Sequence, residues 1–180
     1  MAIIGRRAAL KALGLSVMTA GTHTAPALAQ PAAGPASFGV LNQLEGKWEG
    51  TGVILRQVSR VQMEWARALD GRFMRLTFIS HIGPPPKTQQ FEGHAYYEPA
   101  SEGRFRATWF DSSGLVRPIV ANGTASTLVA EWGTATTELG ETTYRLTAPD
   151  RMEVVDRVRS RDGTWREFGR STLSRTLRDA

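Results

Sequence analysis

Side chains that can do chemistry cluster in the middle of this chain. Asp111 is followed directly by Ser112 and Ser113, and His94 lies upstream. A carboxylate, a hydroxyl and an imidazole are the groups of a nucleophilic triad or of an acid–base pair. No Gly-x-Ser-x-Gly elbow accompanies them, and Asp-Ser-Ser-Gly is a strong turn sequence. We therefore expect Asp111 to organise a turn. Catalysis by Asp111 and His94, of isomerase or hydrolase type, is the alternative.

Aromatic and arginine residues of the same region are typical of a cavity for a small molecule. Such cavities have aromatic walls and a few polar groups that orient the ligand. Simple core packing is the competing interpretation of aromatic residues in strands. We predict a small apolar or amphipathic ligand, with any acidic group of the ligand met by arginine. The predicted ligand-binding residues are Trp65, Arg67, Arg75, His94, Tyr96, Trp109 and Asp111.

The sequence gives little support for a protein-built metal site. A zinc site needs three or four ligands at suitable spacing. Downstream of the N-terminal region there are two isolated histidines, His81 and His94. The chain has no cysteine, which excludes thiolate ligands, iron–sulfur clusters and disulfides. We expect no metal and no catalytic residue.

Ten short segments that alternate apolar and polar residues must position these side chains. Turn sequences such as Asp70-Gly71 and Asp162-Gly163 separate them. A short helical turn over residues 38–44 precedes the first segment. In chain order the segments are KWEGTGVILRQ, RVQMEWARAL, RFMRLTFISHI, QQFEGHAYYE, RFRATWFD, LVRPIVAN, STLVAEWG, TTYRLTA, RMEVVDRVRS and TWREFGRSTLSR.

This pattern predicts an all-β fold, either a sandwich or a barrel. Short sequential connections favour a single up-and-down antiparallel β-barrel of about ten strands. Alternation also places Arg67 on the face of Trp65, and Asp111 on the face of Trp109. Charges on apolar faces suit a barrel with a partly polar interior. Ten strands enclose more room than side chains fill, since about eight just suffice.

Residues 1–29 are predicted to be a cleaved export signal peptide. Arg6, Arg7 and Lys11 precede an apolar stretch that is too short to span a bilayer as a helix. Ala27 and Ala29 fit the small-x-small pattern of a cleavage site after residue 29. Residues 30–37 form a Pro/Ala/Gly linker, residues 38–175 the barrel, and residues 176–180 a tail.

The leader resembles a twin-arginine export signal, in which paired arginines are followed by an apolar residue and a lysine. Arg6, Arg7, Leu10 and Lys11 carry this resemblance. An ordinary secretory leader is the alternative. Either one predicts a periplasmic or secreted protein without a membrane anchor.

Removal of the leader also changes the charge of the protein. The leader holds three of the 22 Lys and Arg residues and none of the 17 Asp and Glu residues, which leaves 19 basic against 17 acidic residues. A nearly balanced chain lacks the clustered basic charge that binds nucleic acid. We therefore expect a small-molecule partner and no nucleic acid.

The stretch LEGKWEGTG, residues 44–52, resembles the entrance signature of the calycin barrels, which include lipocalins, fatty-acid-binding proteins and nitrobindins. Gly46 and Trp48 supply its Gly-x-Trp. Three further stretches are similar to an uncharacterised bacterial exported family of such domains: FEGHAYYEP, RFRATWFDSSG and GRSTLSR. The resemblance covers residues 38–175. It implies that Trp48 closes the barrel base, with Arg175 or Arg170 packed across its ring.

The same resemblance raises the question of haem, which nitrobindins bind through a histidine near the end of the barrel. The corresponding residues 168–180 contain no histidine. His94, Tyr96 or Tyr97 would then have to bind the iron. We expect no cofactor, with a haem-binding barrel as the alternative.

Overall fold

The computed structural model describes residues 37–134 and 136–176. One short helix, α1, precedes ten strands in this part of the chain. The predicted signal peptide and most of the linker and tail lie outside the described residues. The elements are α1 (Val40–Leu44), β1 (Gly46–Ile54), β2 (Gln57–Ala68), β3 (Phe73–Ile82), β4 (Gln89–Ser101), β5 (Arg104–Asp111), β6 (Val116–Gly123), β7 (Thr127–Trp132), β8 (Gly140–Ala148), β9 (Arg151–Arg159) and β10 (Trp165–Arg175).

The strands form one closed antiparallel barrel. Each strand pairs with the next in sequence, and β1 pairs with β10 to complete the ring. Trp48 on β1 lies opposite Arg175 on β10 in this closing pair. The predicted all-β, up-and-down barrel of about ten strands is therefore confirmed.

Strand alternation determines which side chains form the core. In β5 the buried residues Phe105 and Ala107 alternate with the exposed residues Arg104 and Arg106. In β3, Met74 and Leu76 point inward in the same way. Among the described residues, no helix has the length and apolar character needed to cross a membrane.

Helix α1 fills one end of the barrel, which we call the closed end. Its residues Val40, Leu41 and Leu44 are buried. The side-chain amide of Gln43 donates a hydrogen bond of 2.7 Å to the carbonyl of Ala125, in the turn between β6 and β7. The turns that follow β2, β4, β6 and β8 lie at this end, and the remaining turns lie at the other, open end.

Trp48 and Arg175 lie together at the closed end. Trp48 is fully buried, and its indole N–H donates to the carbonyl of Leu44 at 2.7 Å. The Arg175 guanidinium carbon lies 4.1 Å from the centroid of the Trp48 ring. Its N–H groups donate to the carbonyls of Gln43, at 2.6 Å, and Glu45. Burial lowers the pKa of Arg175 from its usual value.

Gly46 makes room for this arrangement. Its φ of +128° is unfavourable for residues with a side chain. A Cβ atom at this position would lie 2.7 Å from Nη1 of Arg175. A larger residue would therefore displace the guanidinium from its place over Trp48.

Candidate functional site

A cavity of about 300 Å³ lies in the open half of the barrel. Its mouth is formed by the turns after β1, β5 and β7, and most of its wall is apolar. The aromatic residues on its wall are Phe78, Phe91, Tyr97, Trp109, Trp132, Tyr144 and Phe168. Its polar and charged residues are Ser80, Asp111, Ser113, Arg117, Glu138, Thr142 and Asp156.

Aromatic rings form two groups on the cavity wall. Phe78, Phe91 and Trp109 lie within 6.2–6.5 Å of one another, measured between ring centroids. Trp132 and Phe168 form the second group, with an edge-to-face contact at 6.4 Å. Phe168 lies at an irregularity in the pairing of β10 with β9, between Glu167 and Gly169. Such a bulge re-aims a side chain relative to regular alternation.

Two glycines allow the indoles to lie close to the barrel wall. A Cβ atom at Gly93 would lie 2.0 Å from the ring of Trp109. One at Gly140 would lie equally close to the ring of Trp132. Larger residues at these positions would push the indoles away from the wall, so the two glycines keep the cavity open.

Asp111 organises the turn at the cavity mouth. Its Oδ1 accepts hydrogen bonds from the backbone N–H groups of Ser113, at 2.9 Å, and Leu115, at 3.3 Å. Its Oδ2 accepts one from the indole N–H of Trp109 at 3.0 Å. Burial raises the pKa of Asp111, but these hydrogen bonds outweigh burial and hold it below the usual value. Asp111 is therefore ionised, and it is the turn-forming residue that the sequence suggests.

Arg117 forms a second charged group at the mouth. Its Nη2 lies 3.1 Å from a carboxylate oxygen of Glu138. Its guanidinium carbon also lies 5.0 Å from the centroid of the Trp132 ring. The guanidinium of Arg117 is therefore already engaged, by an ion pair with Glu138 and by a contact with the indole ring of Trp132.

A chain of hydrogen bonds crosses from β7 to β9 within the cavity wall. The indole N–H of Trp132 donates to the Thr142 hydroxyl at 3.2 Å. That hydroxyl donates to Oδ1 of Asp156 at 2.7 Å. Burial away from water raises the pKa of Asp156 to about 6, partly opposed by the bond from Thr142. The part of Asp156 that remains accessible faces the cavity.

The floor of the cavity is aromatic. Trp65 packs on Tyr97 with ring centroids 5.4 Å apart, and edge-on against Tyr144 at 5.2 Å. Burial raises the pKa of Tyr97 and that of Tyr144 well above their usual range, so both phenols stay protonated. Trp65 itself is fully buried beneath the cavity and does not line it.

Of the seven predicted ligand-binding residues, the structure brings Trp109 and Asp111 to the cavity wall. Arg67 lies on the inward side of β2, as alternation suggests, but near the end of that strand. There its guanidinium lies 3.8 Å from the centroid of the Phe38 ring and pairs with Glu45. Its guanidinium therefore lies at the closed end, beside the segment of α1, and does not line the cavity.

Arg75, His94 and Tyr96 point away from the interior. Arg75 alternates with the buried residues of β3, and its Nη2 lies 3.5 Å from Glu64 on the outer face. His94 and Tyr96 alternate with the inward residues of β4. The imidazole of His94 contacts Glu92 at 3.0 Å and Thr77 at 3.3 Å. None of the three lines the cavity.

This placement also separates the predicted acid–base pair. Asp111 faces the interior, whereas His94 lies on the outer face of the neighbouring strand. Of the residues considered as haem ligands, Tyr97 lines the cavity, whereas His94 and Tyr96 do not. Among the described residues, no three His, Cys, Asp or Glu side chains converge as a metal site.

The sequence analysis did not select several residues of the cavity wall. Asp156 follows Met152 and Val154 at alternate positions, a signal that would have placed it inside. The consecutive buried valines at 154 and 155 hide this signal. Other residues of the cavity wall that the sequence analysis did not select are Ser80, Arg117, Trp132, Thr142 and Phe168.

Comparison with known proteins shows similarity at the level of the fold. No protein-family model matches the chain, and no curated protein matches it. Among solved structures, Rv2717c from M. tuberculosis is similar with a TM-score of 0.58 and 15% identity, over 76% of this chain and 95% of that one. The S-type phycobiliprotein lyase CPES from Guillardia theta is similar with a TM-score of 0.56 and 8% identity, over 76% and 90%.

Proposed function

We propose that this protein binds a small apolar or amphipathic molecule in the cavity at the open end of the barrel. The observation that carries the proposal is the 300 Å³ cavity with aromatic walls. Its volume lies at the lower end of the range for ligand pockets, about 300–1,000 Å³. Apolar cavities of this kind take up small aromatic molecules because transfer out of water is favourable.

The wall is built to stay open, which supports binding over simple core packing. The indoles of Trp109 and Trp132 lie over glycines, and the first is also held by Asp111. The solved structures that resemble this chain share its fold at 15% identity or less. The proposal therefore rests on the cavity of this chain.

Cavity filling tests this proposal. Ala130 is buried on β7 and lines the cavity, whereas its neighbour Glu131 is exposed on the outer face. We expect naphthylmethanol to bind the unaltered chain in isothermal titration calorimetry and Ala130→Phe to weaken that binding at least tenfold. Glu131→Phe adds the same ring outside the barrel and should leave the affinity unchanged. Absence of binding to the unaltered chain, or equal affinity in both variants, would overturn the proposal.

We also propose that the barrel is calycin-like. Support comes from the Gly-x-Trp at Gly46 and Trp48 and from the guanidinium of Arg175 over the Trp48 ring. The resemblance is compatible with Arg175 or Arg170 as the partner of Trp48, and the guanidinium that lies over the ring is that of Arg175. Arg170 pairs instead with Glu153 and Glu167 on the outer surface.

Export is a further proposal, which rests on the sequence of residues 1–29. We propose a twin-arginine-like signal peptide that is cleaved after Ala29, and a periplasmic or secreted mature protein. The test is intact-mass measurement of the protein from its own cells. A mass matching residues 30–180 is expected, and a mass matching the whole chain would contradict the proposal.

A further inference from the structure

The cavity wall carries more acidic than basic side chains. Three carboxyl groups line the cavity, those of Asp111, Glu138 and Asp156, against one guanidinium, that of Arg117. Arg117 is paired with Glu138, and Asp111 accepts hydrogen bonds from its own turn and from Trp109. Asp156 is therefore the charged group on this wall with the most capacity to bind something else.

Asp156 has few partners for a carboxylate in an apolar cavity. Thr142 donates the one hydrogen bond that Asp156 receives from the described side chains, and no basic side chain among them pairs with it. A carboxylate has about four acceptor positions. Burying one without an opposite charge is unfavourable, and a cation beside it removes that cost.

A second polar group in the cavity, the hydroxyl of Ser80, has unused hydrogen-bonding capacity. Ser80 is fully buried on β3 and lines the cavity. Its hydroxyl has no hydrogen-bond partner among the described residues. Buried hydroxyls are normally paired, so Ser80 is a second point at which a ligand gains a hydrogen bond.

We propose that the cavity selects an apolar ring molecule with a basic nitrogen, whose ammonium group donates to Asp156 while its ring packs against the aromatic walls. This inference rests on the proposed function and specifies its ligand class. The same charges disfavour a carboxylate ligand, because the one guanidinium on the wall is already paired. This ligand class differs from the ligand with an acidic group met by arginine that the sequence suggests.

Binding of such a ligand should depend on pH through Asp156. The raised pKa of Tyr144 on β8 keeps its phenol neutral between pH 5 and 7.5, and the lowered pKa of Glu167 on β10 keeps its carboxyl ionised. Arg117 is paired with Glu138 across the cavity. Asp111 is ionised throughout, and His81 and His94 do not line the cavity. An amine probe therefore loses affinity as Asp156 becomes protonated, by about tenfold between pH 7.5 and 5.

Three probes with the same ring test the inference: naphthylmethylamine, naphthylmethanol and naphthoate, each titrated calorimetrically into the full chain at pH 7.5. We expect the amine to bind at least tenfold more tightly than the alcohol, and naphthoate to bind most weakly. Asp156→Asn keeps the shape of the side chain and should abolish the advantage of the amine while leaving the alcohol unchanged. Glu64→Gln, which neutralises an outer carboxylate, should leave all three affinities unchanged.

The outcomes separate this inference from the proposed function. If the alcohol and the amine bind equally, or naphthoate binds best, the ligand class is wrong and the cavity remains a binding site. If none of the probes binds, the proposed function itself fails. The pH titration of the unaltered chain gives the same decision without a variant: amine affinity that is constant from pH 7.5 to 5 would overturn the role of Asp156.

Discussion

The two ends of the barrel carry the same pair of side chains, an arginine over a tryptophan, but with different consequences. At the closed end Arg175 lies 4.1 Å from the Trp48 ring and donates to backbone carbonyls. At the open end Arg117 lies 5.0 Å from the Trp132 ring and pairs with Glu138. Only the second pair borders a cavity.

The surroundings of each pair explain the difference. Helix α1 covers Trp48, and its carbonyl at Leu44 accepts a hydrogen bond from the indole N–H, so the closed end is filled and the indole of Trp48 is satisfied. Within residues 37–134 and 136–176 no helix covers the open end, and its polar groups include Asp156 and Ser80 with unused hydrogen-bonding capacity. The same residue types therefore form a plug at one end and a candidate site at the other.

Removal of the Trp48 and Trp132 side chains should give the largest difference in stability between the two ends. Trp48→Ala removes a fully buried side chain and should lower the free energy of unfolding by about 3–5 kcal/mol. Trp132→Ala removes a half-buried side chain beside an existing cavity and should cost about 1–2 kcal/mol. Urea denaturation of both variants measures the two losses, and equal losses would contradict the distinction between plug and site.

Asp156→Asn should reveal the cost of an unpartnered carboxyl at the open end. The pKa of Asp156 is raised from 3.8 to about 6, so the folded state favours the protonated form. This contribution is fully present below about pH 4 and is lost as pH rises through 6. Relative to the Asn variant, the unaltered protein should lose about 2 kcal/mol of stability between pH 4 and pH 7.5.

Denaturation of both proteins across that pH range provides the measurement. Taking the difference between them cancels the constant cost of burying an amide in place of a carboxyl. A pH-independent difference would show that Asp156 titrates normally and would weaken the contrast between the two ends.

The two arginines should each give a smaller effect than the loss of Trp48. Arg175→Met leaves the carbonyls of Gln43 and Glu45 without their donor and should cost about 1.5–3 kcal/mol. Arg117→Met removes a partly solvated ion pair and should cost about 1 kcal/mol or less. Thermal unfolding at low and high salt separates them, since salt screens only the exposed pair. A larger loss for Arg117 would reverse the comparison.

Much of the fold could be predicted because its signals are local. Alternation and turn sequences locate all ten strands, and sequential short connections favour the up-and-down order. The same alternation places Trp109 and Asp111 on one inward face, as the structure has them. Each of these inferences needs only neighbours in sequence.

The composition of the cavity wall was harder to predict. Arg67 has inward alternation but lies at the closed end, away from the cavity, and Phe168 reaches the cavity through an irregularity in strand pairing. His94 and Tyr96 were selected for their chemistry, whereas the inward positions of β4 are Gly93, Ala95 and Tyr97. Position along the strand, and not residue type, therefore decides which side chains of β4 face the interior.

The sequence by itself determined the strands and their order, because alternation and turns act over a few residues. Only the tertiary structure decided that Trp132, Thr142 and Asp156 form one hydrogen-bonded chain. These residues lie on three strands, and their meeting depends on register around a closed ring. The pKa of Asp156 likewise depends on burial, which exists only once the barrel has closed.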